Sequence, residues 1–143
     1  MKKLVVDSGV SVKWFIKEEY STEARIILDE YEKGQTEFLA PDLIYSEFGN
    51  IIWKKHIFQD LPLAEADSTL ADFKQISFIL TPTISLFDAT FQIAVKYKRT
   101  FYDSLYLALS DKENCGFVTA DEKFYNAVRR DFPNMILLAN WQR

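Results

Sequence analysis

The sequence predicts an α/β protein, an α/β/α sandwich around a mainly parallel central sheet. Short apolar runs recur at residues 4–6, 37–40, 78–81, 116–119 and 135–138, and segments of helical periodicity fill the intervals between them. No hairpin signal separates successive runs, so the strands need helical crossovers and lie parallel. The first run, Leu4-Val5-Val6-Asp7-Ser8, is apolar at consecutive positions and then ends in a carboxylate. Consecutive apolar residues mark a strand covered on both faces. That strand is predicted to be central, delivering Asp7 to the carboxyl edge where open α/β sheets bind ligands.

Each element has its own local reason. Residues 10–18 read as a short helix, and Ser21-Thr22-Glu23 opens a second one that carries Ala24, Ile27, Leu28 and Tyr31 at helical spacing and stops near Gly34. After the strand at 37–40, Pro41 is predicted to start a helix running to about residue 55, with Asp42 favouring its positive end. Pro62 opens the next, in which Leu63, Ala66, Leu70 and Phe73 keep one apolar face. Residues 85–98 and 102–113 are predicted as two further helices separated by Lys98-Arg99-Thr100. The clearest later strand is 116–119, followed by a helix at 121–130 and a last strand at 135–138.

With 143 residues, 48% of them hydrophobic, the chain can bury one substantial core, and residues 1–143 read as a single domain without repeat or internal boundary. Only four glycines and four prolines stand beside twenty-two aromatic residues, which leaves little room for linkers or disorder. The formal charge of −4 argues against nucleic-acid binding through overall basicity, but not against local basic contacts. One cysteine, Cys115, cannot form an internal disulfide, and no charged-then-apolar leader or long apolar span precedes the first strand. A cytoplasmic protein without a membrane segment is the expectation.

The candidate chemistry lies in four acids. Glu47 falls on the apolar stripe of its predicted helix, with Leu43 and Ile44 one turn before it and Ile51 one turn after. A carboxylate there must be paired, protonated or bound to a cation, unless it lies at the edge of the stripe and reaches solvent or a lysine. Asp7 and Asp121 each follow a strand, and Asp103 stands at the start of a helix. All three suit a second role, capping the helix that follows. A parallel sheet could bring the four together. At about 5 Å and an effective dielectric of about 20, each like-charged pair would cost roughly 3 kcal/mol, and the unneutralised cluster on the order of 10 kcal/mol or more. A hard divalent cation removes that repulsion. Oxygen ligands select Mg²⁺ or Mn²⁺ over zinc, and His56 with Cys115 is too thin a soft-ligand set for a zinc site.

The acids sit in strings that resemble the PIN-domain ribonucleases, and in particular the VapC toxins of toxin–antitoxin pairs. Leu4-Val5-Val6-Asp7-Ser8 with Val12-Lys13-Trp14-Phe15 is similar to the opening of that family, and Ser46-Glu47 lies in the corresponding helix. Tyr102-Asp103-Ser104-Leu105-Tyr106-Leu107-Ala108-Leu109 and Thr119-Ala120-Asp121-Glu122-Lys123-Phe124 are similar to its last two acidic motifs. The matching segments span nearly the whole chain, and four in order are more specific than any one.

The resemblance implies that Asp7, Glu47, Asp103 and Asp121 form a catalytic, metal-binding pocket for Mg²⁺, or alternatively Mn²⁺, with Ser8 and Thr119 as hydroxyl helpers. The implied reaction is endonucleolytic hydrolysis of RNA by water rather than by the 2′-hydroxyl, leaving 5′-phosphate and 3′-hydroxyl ends. Partners implied are a small VapB-type antitoxin and a second copy of the chain in a homodimer. Because an acidic pocket repels RNA, nearby cations are needed; Lys13 and Lys123 are the first candidates, with Lys17, Lys54 and Lys55 beside them, against the alternative of solvated helix surface. Trp14, Phe15 and Trp53 are core residues by default, or part of an apolar groove for the antitoxin helix. The competing readings are a PIN-like domain that is non-catalytic, or one that processes RNA outside a toxin–antitoxin pair. A receiver or phosphoryl-transfer domain fits less well, since Ser8-Gly9 follows Asp7 where a second aspartate would be wanted.

Overall fold

A computed structural model describes residues 1–142. Five strands, β1 (Lys2–Val6), β2 (Thr36–Pro41), β3 (Ile79–Thr81), β4 (Gly116–Thr119) and β5 (Met135–Leu137), form one sheet in the order β3-β2-β1-β4-β5. Every neighbouring pair is parallel. The helices are α1 (Ser8–Ser11), α2 (Ser21–Glu32), α3 (Leu43–Gln59), α4 (Leu63–Lys74), α5 (Phe87–Tyr97), α6 (Phe101–Glu113) and α7 (Glu122–Val128).

Alternation along the strands divides the interior into two cores, as a sheet covered on both faces requires. Val5, Leu39 and Phe117 point into one core, against Ile44, Phe48 and Ile52 of α3, Phe73 of α4 and the α6 run Leu105 to Leu109. Leu4, Val6, Phe38 and Val118 point into the other, against Ala24 and Ile27 of α2, Trp14 and Trp141. Helix α6 is buried from Ser104 to Ser110, which is why its sequence is apolar with almost no polar face. The α/β/α sandwich is thus observed.

The chain steps outward from β1 through β2 to β3, then returns to the opposite side for β4 and β5. The direction reverses between β1 and β4, and Val6 pairs with Val118, so the two chains leave their strands side by side at Asp7 and Thr119. That is the topological switch point, where such sheets open a crevice.

Several boundaries differ from the predicted ones. Residues 10–18 do not form one helix: α1 covers four residues, a 3₁₀ turn follows at Val12–Trp14, and the chain then turns. Pro41 ends β2, paired with Thr81, instead of starting a helix. Its missing N–H is no loss at a strand end, and α3 begins two residues later and runs on to Gln59. The segment from residue 85 begins as a 3₁₀ turn at Thr83–Leu86 before α5. Trp14 is a core residue: its indole N–H donates to the Ala24 carbonyl at 2.9 Å and its ring stacks on Phe38 at 5.0 Å. Phe15 is partly buried, whereas Trp53 is exposed on α3.

Candidate active site

A cleft of about 570 Å³ opens at the switch point. Asp7, Glu47, Asp103 and Asp121 all line it, arriving from the end of β1, the middle of α3, the first turn of α6 and the start of α7. The sheet supplies two of these positions and the two long helices packed on one face of it supply the others. Ser8 and Thr119 line the same cleft, both buried.

The capping roles divide the acids. The Asp7 carboxylate accepts from the Val10 N–H at 2.8 Å, and that of Asp121 accepts from the Phe124 N–H at 3.0 Å, so both cap the helices they precede. Asp103 does not. The cap of α6 is Thr100, whose Oγ1 accepts from the Asp103 N–H at 3.0 Å, and the Asp103 carboxylate projects from the first turn into the cleft. The hydroxyl of Thr119 accepts from the Asp121 N–H at 3.1 Å, fixing the turn that presents this acid.

Glu47 is half-buried, and its Oε1 accepts from the Tyr106 hydroxyl at 2.5 Å and from the Ser8 hydroxyl at 3.4 Å. Burial raises its pKa, the neighbouring Asp103 charge raises it further, and the two hydroxyls oppose the shift. Asp7 is pushed up to about 7, chiefly by burial, with Glu47, Asp103 and Asp121 adding repulsion and the Val10 N–H opposing. The four acids are therefore close enough to act on one another. Tyr106 in turn is held far above its ordinary range by burial and by the Glu47 charge, so it stays a neutral donor.

Three participants were not singled out in the sequence. Tyr106 lies one turn after Asp103 on the same face of α6, a spacing that could have drawn attention to a hydroxyl in an otherwise apolar run. Arg99 donates to the second oxygen of Asp121 at 3.2 Å and lies over the Phe124 ring at 4.9 Å. Glu18 bridges two lysines, Lys13 at 3.2 Å and Lys55 at 2.6 Å. Lys13, Glu18, Lys54 and Lys55 line the cleft. Lys17 and Lys123 are exposed and do not line it. His56 sits near the end of α3 with Nδ1 2.7 Å from the Leu61 carbonyl, and Cys115 packs beside β4; neither lines the cleft.

The donor set suits a hard cation. Carboxylates and hydroxyls line the cleft without imidazole or thiol, as Mg²⁺ or Mn²⁺ requires and zinc does not favour. Among the described residues, no group of three or more His, Cys, Asp or Glu side chains is spaced to hold a metal ion. Both oxygens of Asp121 are already engaged by Phe124 and Arg99. Closing around an ion would therefore need side-chain movement, whereas each Asp121 oxygen keeps a further lone pair.

Comparison with known proteins bears on the fold. No curated protein sequence matches the chain. Among solved structures, a protein from Pyrobaculum aerophilum is 19% identical with a TM-score of 0.67 over 97% of this chain and 92% of its own. A toxin–antitoxin complex from Klebsiella pneumoniae is 15% identical with a TM-score of 0.63, over 94% and 97%. A toxin from Mycobacterium tuberculosis described as cleaving the sarcin–ricin loop is 13% identical with a TM-score of 0.62, over 87% and 94%. At these identities the likeness is one of fold. A family model, that of the PIN domain, matches residues 4–129, which takes in every acid of the cleft, and the chain accordingly belongs to the PIN domain family.

Proposed function

We propose that this chain is a Mg²⁺-dependent endoribonuclease and the toxin of a VapBC-type toxin–antitoxin pair. The observation that carries the reading is the convergence of Asp7, Glu47, Asp103 and Asp121 on one cleft at the switch point of the sheet, with Asp7 pushed up to about 7. Bound there, a divalent ion would supply Lewis acidity toward the phosphate and acidify a water molecule.

The residues of the chain do the rest. Asp7, Glu47 and Asp103 would hold the ion through their carboxylates, with Asp121 as a fourth candidate ligand. The hydroxyls of Tyr106 and Ser8 both donate to Oε1 of Glu47 and hold its carboxylate in one orientation. Thr119 fixes the turn that carries Asp121. Lys13 and its neighbours offset the acidic field toward a polyanion. Lys123, on the exposed face of α7, stands as an outer contact for RNA leaving the cleft.

Partners follow from surfaces as well as from the fold. Two of the similar structures are described as toxins or toxin–antitoxin complexes. Trp53 and Phe58, whose rings meet edge to face, and Ile57 are exposed toward the end of α3, and Leu63 is exposed at the start of α4, apolar surface suited to an antitoxin helix. Ile84 on the 3₁₀ turn and Phe87, Phe91 and Val95 along α5 lie exposed at spacings of three to four residues, suited to a second copy of the chain. No helix among the described residues is long and apolar enough to cross a membrane.

The test is cleavage of a mixed RNA pool, with Mg²⁺ or with EDTA, by the wild type, Asp7→Asn and Asp103→Asn. Cutting that requires metal, is lost in both variants and leaves 5′-phosphate and 3′-hydroxyl ends is the expected result. An inert wild type, or variants that cut equally well, would overturn the enzymatic assignment. The non-catalytic reading would then stand, with Asp7 and Asp121 serving as helix caps.

A further inference from the structure

The cleft has two poles, and the acids account for only one. At the other, the Glu18 carboxylate accepts from Lys13 through one oxygen at 3.2 Å and from Lys55 through the other at 2.6 Å. Both lysine side chains are largely buried, at 11% and 15% exposure, yet both line the cleft, as does exposed Lys54. Glu47, Ile51 and Lys55 stand at successive four-residue steps along α3 and all face this cavity. Eight residues of helix separate Glu47 from Lys55 by about 12 Å along the axis, so the poles are distinct places on one wall.

The loop is shaped to present Glu18. Its own N–H donates to the Ser21 hydroxyl at 2.8 Å, and the Ser21 hydroxyl donates to the Ile16 carbonyl at 3.3 Å. Tyr20, next but one, is held at φ 67, a conformation that a bulky side chain adopts only under constraint. Burial alone would raise the Glu18 pKa, but the hydrogen bonds and charges of Lys55 and Lys13 outweigh it and lower the pKa, so Glu18 is ionised when it bridges them.

Two ammonium groups brought this near would otherwise repel. A carboxylate offering one oxygen to each holds them side by side and leaves the trio with a net positive charge. Each ammonium has three donors and uses one on Glu18. Among the described residues Glu18 is the one carboxylate paired with either lysine, which leaves the other donors for phosphate oxygens. We propose that Lys13 and Lys55, joined by Glu18, form a second subsite of the cleft that takes a backbone phosphate of the RNA strand flanking the scissile one, with Glu18 as a positioning residue. The assignment rests on the ribonuclease reading above and extends it to how the substrate strand is held.

The experiment measures binding of a short, mixed-sequence, single-stranded oligoribonucleotide in EDTA across a series of salt concentrations. The proteins are the wild type, Lys13→Met, Lys55→Met and Glu18→Gln, each also followed by thermal melting. Every lysine variant is expected to lower the slope of log affinity against log salt, by up to about 0.7 unit for the one phosphate of a single strand. Glu18→Gln is expected to lower the slope similarly, and to bind more weakly although it is one unit more positive. Tighter binding by Glu18→Gln would mean that the carboxylate only shields the lysines. A lower melting temperature with an unchanged slope would mean that it only staples the loop to α3. Either result overturns the proposal, and so does an unchanged slope in Lys55→Met, which keeps the alkyl stem and decides the matter if Glu18→Gln does not fold. The same oligonucleotide in Mg²⁺ separates the two readings. Cutting by the wild type with slopes unchanged in all variants removes the subsite alone, whereas the expected slopes without any cutting remove the ribonuclease alone.

Discussion

Asp7 serves two purposes that one substitution can separate. It caps α1 through Val10, and it stands among three other acids that, together with burial, push it up to about 7. An acid whose folded-state pKa lies above its unfolded value holds its proton better when folded. Its contribution is therefore favourable at low pH and is lost as pH rises from about 4 toward 7. Asparagine can still cap but carries no charge. In EDTA, Asp7→Asn should exceed the wild type in stability by about 2–4 kcal/mol at pH 8 and by little at pH 4. Chemical denaturation at the two pH values measures this, and a gap that does not widen with pH would show that neither burial nor the neighbouring acids raise Asp7. Tyr106→Phe is the complementary change. Losing the hydroxyl that orients Glu47 should weaken activating Mg²⁺ about tenfold or more with little effect on the fold, read from activity against Mg²⁺ concentration.

Glu47 is only as well placed as α3, and α3 is held by its packing on α4 and the sheet. Phe48, the residue after Glu47, is fully buried and stacks on Phe73 of α4 with ring centroids 3.7 Å apart. Truncating it removes the stack and leaves a cavity between the two helices. Phe48→Ala should cost about 3–5 kcal/mol in urea unfolding. A much smaller loss would mean that α4 packs on α3 more loosely than this geometry requires. The same helix explains a misjudged boundary. Pro41 sits where sequence signals favour a helix start, but pairing of β2 with β3 through Thr81 keeps the chain extended to that point. Strand pairing overrode a local preference.

For the molecule as a whole, the switch point makes binding and stability one question. The acids converge from four segments spread between residues 7 and 121, so an ion that draws them together also ties β1, α3, α6 and α7 to one another. On the metal-hydrolase reading, Mg²⁺ should raise the melting temperature in a concentration-dependent way, as any ligand selective for the folded state does. The rise should be larger at pH 8 than at pH 5, because protonated Asp7 competes with the ion, and it should shrink in Asp103→Asn. Thermal melts across a Mg²⁺ titration give the answer. A midpoint indifferent to Mg²⁺ at pH 8 would count against a metal site in this cleft.

The alternation of apolar runs with helical periodicity was enough to place five strands, their parallel sense and the sandwich, because each depends on patterns only a few residues long. Asp7, Glu47, Asp103 and Asp121 were also legible one by one, as acids at strand ends or on an apolar stripe. Their meeting in a single cleft was not, since it depends on strand order: β1 and β4, adjacent in the sheet, are more than a hundred residues apart in the chain. The capping question likewise had to wait for geometry, because Thr100 and Asp103 are equally good caps on paper and one hydrogen bond decides between them. Glu18 left no trace in the sequence at all. Its partners lie 5 and 37 residues away, and a charge acquires its role from what folding places beside it.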